Sequence, residues 1–385
     1  MSTDATFLDD VRRISREVAA EHADGVDRDA RFPAEAIGAL REIGGLSAYV
    51  PAELGGLGVS FETLAEACFE LGRGCGAAAM VFAMHQIQVH SLVEHAAGQP
   101  WFEDYLRRLV AEQRLIASAT SEVGTGGDMG KSVAALSGDG DERTFVKQAP
   151  TISYGAHADD LLTTVRRTED ADPGDQVLVL SSVAQTGFEP SGTWDPLGMR
   201  GTCSPGATIT VTIPAEQVVQ APFAEISARS MVPASHLLWA HLWLGIATDA
   251  FDRARAFVRA QAARDPEAAT RGGIRLSELM TELTLLRGEV HAARERYVHA
   301  VAEDPAWLST MAATVRMNTL KIAASEQAPR ICQGALAICG IVGYKNDTPF
   351  SVGRHLRDTL SAALMVTNER IHRTNAGLLL IAKEV

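Results

Sequence analysis

No stretch of about 18 uninterrupted apolar residues occurs in this chain, so a membrane-spanning helix is not expected. Basic residues are outnumbered: 35 Lys and Arg against 48 Asp and Glu give a net charge of −13. Phosphate contacts need clustered cations, so nucleic acid is not an expected partner. Cysteine is sparse. Cys68, Cys75, Cys203, Cys332 and Cys339 are odd in number and lack C-x-x-C spacing. That excludes an obvious disulfide framework or zinc site and fits buried thiols in a reducing compartment. Met1-Ser2-Thr3-Asp4-Ala5 shows no basic start leading into an apolar run, so no secretory signal is visible and a cytoplasmic protein is expected. No internal repeat or low-complexity segment stands out, and no metal site is expected.

What is present suits an ordinary globular protein of two or three domains, with 46% hydrophobic and 22% charged residues over 385 positions. Phe7, Val11, Ile14 and Val18 recur at helical spacing, and further helical runs follow at Ala34–Ile43, at Phe61–Leu71 and through Val81, Met84, Ile87 and Val89. Near residue 115 the texture becomes β-like. Leu115–Thr120, Leu161–Val165, Gln176–Leu180 and Ala207–Ile213 read as strands, and Ser137-Gly138-Asp139-Gly140-Asp141 as a hairpin connection. From about residue 226 the helical period returns. The expected helices are Leu237–Gln261, Leu276–Val301, Trp307–Gly334 and Arg354–Leu380, with loops at Asp265-Pro266, Gly272-Gly273 and Asp304-Pro305. The reading is an α+β protein with three domains: helical over 1–115, a β-domain of barrel or sandwich form over 116–222, and a helical bundle over 223–385.

Four segments carry chemistry together. Pro51-Ala52-Glu53-Leu54-Gly55-Gly56-Leu57-Gly58 alone is a tight turn. Ser121-Glu122-Val123-Gly124-Thr125-Gly126-Gly127-Asp128 ends a strand with bare backbone N–H groups suited to a diphosphate or a flavin, without the Lys-Ser/Thr of a P-loop or the spacing of G-x-G-x-x-G. Trp194-Asp195-Pro196-Leu197-Gly198-Met199-Arg200-Gly201-Thr202 lies between strands. Gly340-Ile341-Val342-Gly343-Tyr344 precedes Arg357-Asp358. In this order and spacing, across essentially the whole chain, the set resembles the acyl-CoA dehydrogenase flavoproteins.

That resemblance implies an N-terminal helical domain, a middle β-barrel domain and a C-terminal four-helix bundle. FAD would lie between the last two, in a homodimer or homotetramer. It implies flavin contacts at Thr120, Ser121, Gly126, Gly127, Ile152, Ser153 and Gly340. Ser153 keeps a hydroxyl for flavin N5, while Thr151 stands where a Trp usually screens the ring. Arg259 falls where an Arg of a neighbouring subunit reaches the diphosphate, although the Phe-Gly that should follow reads Ala262-Ala263. Arg200 and Val366 are implied at the substrate.

The family reaction removes a weakly acidic proton beside a thioester carbonyl, which needs a desolvated carboxylate. Counting from Arg357-Asp358 puts that residue at Val366, and the minority position on an earlier helix reads Ser235. Neither is an acid. Three readings follow. Glu369, three residues on, would share the helical face of Val366 and take over. His236, beside Ser235, would act instead. Otherwise the reaction needs no such base, as in oxidation of an aldehyde or alcohol or in flavin monooxygenation. The favoured expectation is FAD-dependent oxidation of an acyl thioester, bound to CoA or to an acyl-carrier protein in a biosynthetic pathway. The alternatives are an N- or C-hydroxylating flavin monooxygenase and a flavin-binding scaffold without dehydrogenase activity.

Overall fold

The computed structural model describes residues 2–262 and 264–382, so Ala263 lies outside the described residues. Six helices come first: α1 (Thr3–Ile14), α2 (Ala20–Arg28), α3 (Ala34–Glu42), α4 (Phe61–Gly74), α5 (Gly76–His95) and α6 (Pro100–Glu112). Local chemistry starts them. Ser2 Oγ accepts from Ala5 N at 3.3 Å, Ser60 Oγ accepts from Thr63 N at 3.2 Å, and Pro100 sits in the first turn of α6. α5 differs from its neighbours in being buried almost all round, from Gly76 to Leu92. A helix without a polar face belongs in a core, and α5 is the inner wall against which the rest is assembled.

Six strands follow: β1 (Ile116–Ala119), β2 (Glu142–Ala149), β3 (Asp160–Arg166), β4 (Gln176–Ser182), β5 (Thr186–Ser191) and β6 (Gly206–Pro214). They form two three-stranded sheets, ordered β1-β3-β4 and β2-β6-β5. The first is mixed, with β1 parallel to β3 and β3 antiparallel to β4; the second is antiparallel throughout. The expected hairpin at 137–141 is present: Ser137 and Thr144 exchange backbone hydrogen bonds of 2.9 and 3.0 Å, and Gly138 and Gly140 have φ of +98° and +67°. Two strands carry weak sequence signals. β2 turns Lys147 inward, where it is 1% exposed, and β5 is an exposed edge containing Gly187 and Pro190.

The chain then returns to helices: α7 (Phe223–Ile226), α8 (Val232–Ala262), α9 (Pro266–Glu303), α10 (Met311–Cys339), α11 (Ile341–Tyr344), α12 (Gly353–Leu360) and α13 (Asn368–Ile381). α8 is the pivot, packing on α4, α5, α9 and α10. Glycines set how closely α4 and α8 approach. A Cβ at Gly72 would lie 2.4 Å from the Leu242 carbonyl oxygen, and one at Gly245 would lie 2.2 Å from that of Phe69. Two expectations are corrected. Gly272-Gly273 is not a loop; it lies within α9, where Gly272 makes room for Val258. The single helix expected over Arg354–Leu380 is two, because the segment Ser361–Thr367 leaves the helical path and Val366 takes φ +45°. No helix among the described residues is long and apolar enough to cross a membrane, and none of their His, Cys, Asp and Glu clusters could hold a metal ion.

Candidate active site

α5, α8, the ends of β1 and β2, the loop before β6 and the bend after α12 enclose a cavity of about 480 Å³. Its surface is mainly apolar, with Met80, Met84, Met129, Met199, Met231 and Met365 beside Trp194 and Trp239. Volume and lining are those of a small-molecule site. A π-helical turn, Ser227–Met231, delivers Met231 to the wall at the start of α8. Such turns re-aim side chains and recur at functional sites.

The Arg-Asp pair and the Leu-Gly-Met loop, far apart in sequence, form one joint at the rim. Asp358 is buried and its Oδ1 accepts from Met199 N at 2.7 Å. Gly198 lies so close to α12 that a Cβ there would sit 2.0 Å from the Arg357 carbonyl oxygen. Arg357 donates to both Asp27 oxygens at 2.9 and 2.5 Å and to the Leu197 carbonyl at 3.1 Å. Burial pushes the Asp358 carboxyl up to about 6, against the opposing pull of Arg354. Arg200 belongs to this loop as well. Its donors go to the Asp27 carbonyl, Asp195 and the Pro196 carbonyl at 2.7, 2.6 and 2.9 Å, so it braces the rim and does not line the cavity.

The β side of the cavity is a row of hydroxyls. Ser118, Thr120, Ser121, Thr151, Ser153, Thr202 and Ser204 all line it. They are oriented by one another: Ser204 Oγ lies 3.0 Å from Ser153 Oγ and 2.8 Å from Thr202 Oγ1, and Ser121 Oγ donates to the Thr151 carbonyl at 3.2 Å. Ile152 is fully buried behind them, its N–H on the Pro205 carbonyl at 3.1 Å. The glycine loop is anchored by Glu122, whose carboxylate takes Ser132 Oγ at 2.6 Å and the amides of Val133 and Ala134 at 3.0 and 2.6 Å. Gly124, Gly126 and Gly127 have φ of +95°, +61° and +76°, which side chains rarely adopt. Arg370 donates to the carbonyls of Gly126 and Gly127, and a Cβ on Gly127 would collide with its guanidinium. A hydroxyl row facing an apolar wall fits the ring of a flavin; Gly126, Gly127 and Arg370 lie outside the cavity lining, where the guanidinium offers a counter-charge for a phosphate.

The positions considered for a base come out differently. Val366 lines the cavity and its carbonyl accepts from Lys321 Nζ at 3.3 Å. Lys321, with no exposed surface, also donates to Asn368 Oδ1 at 2.8 Å, and burial lowers its ammonium to about 8. Glu369 does not share a helical face with Val366, because α13 begins only at Asn368. Its carboxylate is 76% exposed and paired with Arg373, outside the lining. His236 lines the cavity. Its Nδ1 lies 3.1 Å from the Met317 carbonyl, which makes Nδ1 the protonated nitrogen and leaves Nε2 as an acceptor. Burial and then Lys321 push its imidazolium down to about 3. Among the described residues, no Asp, Glu or Lys lines the cavity. Arg259 is exposed near the end of α8 and Gly340 caps α10 with φ +58°; neither faces the cavity.

Two residues overlooked in the sequence complete the helical wall. Gln88 is 3% exposed and Trp239 is 7% exposed; both line the cavity, yet Gln88 Oε1 and Trp239 Nε1 have no hydrogen-bond partner. For Gln88 the signal was the intrusion of His85, Gln86, Gln88 and His90 into the otherwise apolar α5; Trp239 sits in an apolar stretch of α8 that gives none.

Comparison with known proteins places this geometry. The pattern described as acyl-CoA dehydrogenase, N-terminal domain, matches residues 2–113, and that of the C-terminal domain matches residues 217–377. A probable acyl-CoA dehydrogenase, YngJ of Bacillus subtilis (strain 168), is 24% identical, with 90% of each chain covered. The dibenzothiophene monooxygenase of Mycolicibacterium goodii is 29% identical over 58% of this chain and 55% of its own. The FMN-bound structure of TdsC from Paenibacillus sp. A11-2 superposes with a TM-score of 0.81 at 22% identity, covering 97% of each chain, a likeness of fold.

Proposed function

This chain belongs to the acyl-CoA dehydrogenase family of oxidoreductases, and from that premise we propose that it is a flavin-dependent monooxygenase acting on an apolar substrate. The observation that carries the reading is the missing acid: no described Asp, Glu or Lys lines the cavity. The other ionisable side chains there are His236, a very weak base once its imidazolium is pushed to about 3, and Arg357, held by Asp27. Abstraction of a weakly acidic α-proton needs a stronger base at hydrogen-bond range. Oxygenation does not need one in that place. The dibenzothiophene monooxygenases among the relatives support the same choice.

The cofactor is a flavin, FAD being the usual form in the family. When bound it supplies two-electron redox chemistry and, once reduced, reactivity toward dioxygen. The chain's own residues do the rest. Ser121 and Ser153, held by Thr151 and Ser204, present hydroxyls to the ring edge. Arg370 offers positive charge at the glycine loop. The methionine and tryptophan wall excludes water, and polarisable sulfur packs well on flat aromatic faces. Exposed Arg259 is available to a neighbouring copy in a homodimer or homotetramer.

Thioester dehydrogenation is the second reading, favoured by the full-length likeness to YngJ; its substrate would be bound to CoA or to an acyl-carrier protein. One experiment separates the two. The flavin-loaded protein is mixed anaerobically with a panel of acyl thioesters, and separately reduced chemically and exposed to oxygen with candidate aromatic substrates. Oxygenation predicts no bleaching by thioesters, and a hydroxylated or S-oxidised product after reoxidation. Rapid anaerobic bleaching by any thioester sinks it.

A further inference from the structure

Three of the residues that line the cavity are large apolar side chains left open to solvent: Leu197 is 65% exposed, Leu360 44% and Leu364 73%. A side chain that faces both the cavity and solvent stands at its mouth. The three are neighbours. Arg357 donates to the Leu197 carbonyl at 3.1 Å, Leu360 lies one helical turn beyond Arg357 on α12, and Leu364 follows with its N–H on the Ser361 carbonyl at 3.0 Å. Half-buried Trp194 and Met365 join them to the interior. Single exposed leucines are ordinary, but a set of them at the opening of an apolar cavity marks what passes through it. The charges around the opening are matched within the protein, Arg357 by Asp27 and Arg200 by Asp195. No other Arg, and no Lys, is among the described lining residues, so a carboxylate or phosphate there would find no free counter-charge.

We propose that the substrate carries an apolar arm, a straight alkyl chain being the simplest form, which runs from the cavity out across Leu197, Leu360 and Leu364 while its uncharged head stays within. The flavin lies on the hydroxyl side and leaves the helical side and this mouth to the substrate; the assignment rests on the oxygenation reading only in that placement. A compact substrate would leave the three leucines wet. An arm laid on them removes apolar surface from water on both partners, and each methylene so buried tightens binding by up to about fourfold. The leucines therefore set a preference for chain length. They also select against a CoA handle, whose phosphates would emerge at an opening with no free positive charge to meet them.

The test is calorimetric titration of the FAD-saturated protein with para-alkylphenols bearing ethyl, butyl, hexyl and octyl chains, each below its micellar concentration. Affinity should rise about two- to fourfold per methylene through the whole series. Leu197→Ser combined with Leu364→Ser should bind the ethyl compound within about twofold of the unaltered protein, which shows that the variant is folded, and the octyl compound about fivefold or more weakly. If affinity levels off at the butyl compound in the unaltered protein, the arm never reaches the mouth and the proposal falls. An octyl-to-ethyl ratio that survives the double substitution overturns it as well, since the arm would then lie elsewhere. So does octanoyl-CoA binding tighter than the octyl compound, which would show that the opening takes a charged handle. Sedimentation covers the remaining occupant: a smaller oligomer in the double variant would give the leucines to a second copy of the chain, and overturns the proposal too. An octyl compound bound with the expected length dependence but never oxygenated after flavin reduction would sink the oxygenation reading and leave this one standing.

Discussion

At the scale of single residues, position and partner decide what a conspicuous side chain does. Glu369 is the acid nearest in sequence to Val366, yet it is solvent-facing and engaged by Arg373. Replacing it by Gln should leave turnover within about twofold of the unaltered protein, since exposed ion pairs contribute little. A tenfold loss of rate in steady-state assays would return it to the mechanism. Ser153→Ala removes a hydroxyl that Ser204 aims along the cavity wall. Flavin affinity should fall by roughly three- to tenfold, as for one lost hydrogen bond of about 1 kcal/mol, and a fluorescence titration with free flavin reads it. Ser121 and Ser153 were expected from the family resemblance alone, and both line the cavity. Gln88 and Trp239 were not expected, since nothing in a helix's periodicity reveals that a polar atom within it lacks a partner.

Among the elements, close backbone approach is the feature most exposed to mutation. Gly198→Ala would press a methyl group into the Arg357 carbonyl and part the loop from α12, breaking the Asp358–Met199 hydrogen bond. A loss of about 3 kcal/mol or more is expected, in the range of severe buried substitutions, and urea titration measures it. A cost under about 1 kcal/mol would mean that the two elements separate freely. Most helices and four of the six strands could be anticipated from periodicity. The bend at Ser361–Thr367 could not, because Leu364, Met365 and Val366 continue an apolar rhythm; what stops the helix is tertiary, the grip of Lys321 on the Val366 carbonyl and Asn368. β2 escaped notice for a related reason: Lys147 faces inward and bonds to the Thr164 carbonyl at 2.7 Å, which breaks the alternation.

For the whole molecule, buried histidines set the response to pH. Burial lowers His85 and His355 to about 4 and His236 and His241 to about 3, from 6.5. The unfolded chain binds these protons near pH 6.5 and the folded one does not. Their contribution is therefore complete above that pH and is lost as acidity carries it toward 4 and then 3. Each adds a slope of up to about 1.4 kcal/mol per pH unit. Asp358, raised to about 6 from 3.8, works the other way, favouring the fold at low pH and losing that effect as pH rises through 6. Four outweigh one, so the melting temperature should drop by roughly 5 °C or more between pH 7 and pH 5, which calorimetry would register; a flat profile would mean that these rings reach water. The three-layer order of helices, strands and helices was visible in the sequence because it depends on periodicity alone, whereas the cavity depends on which side chains converge. Lys321 shapes what such a scaffold can become. An acid introduced by Val366→Glu would stand on the residue whose carbonyl already holds the Lys321 ammonium, and a cation that close keeps a carboxylate ionised and weakens it as a base, so proton abstraction from this position calls for a change at Lys321 as well.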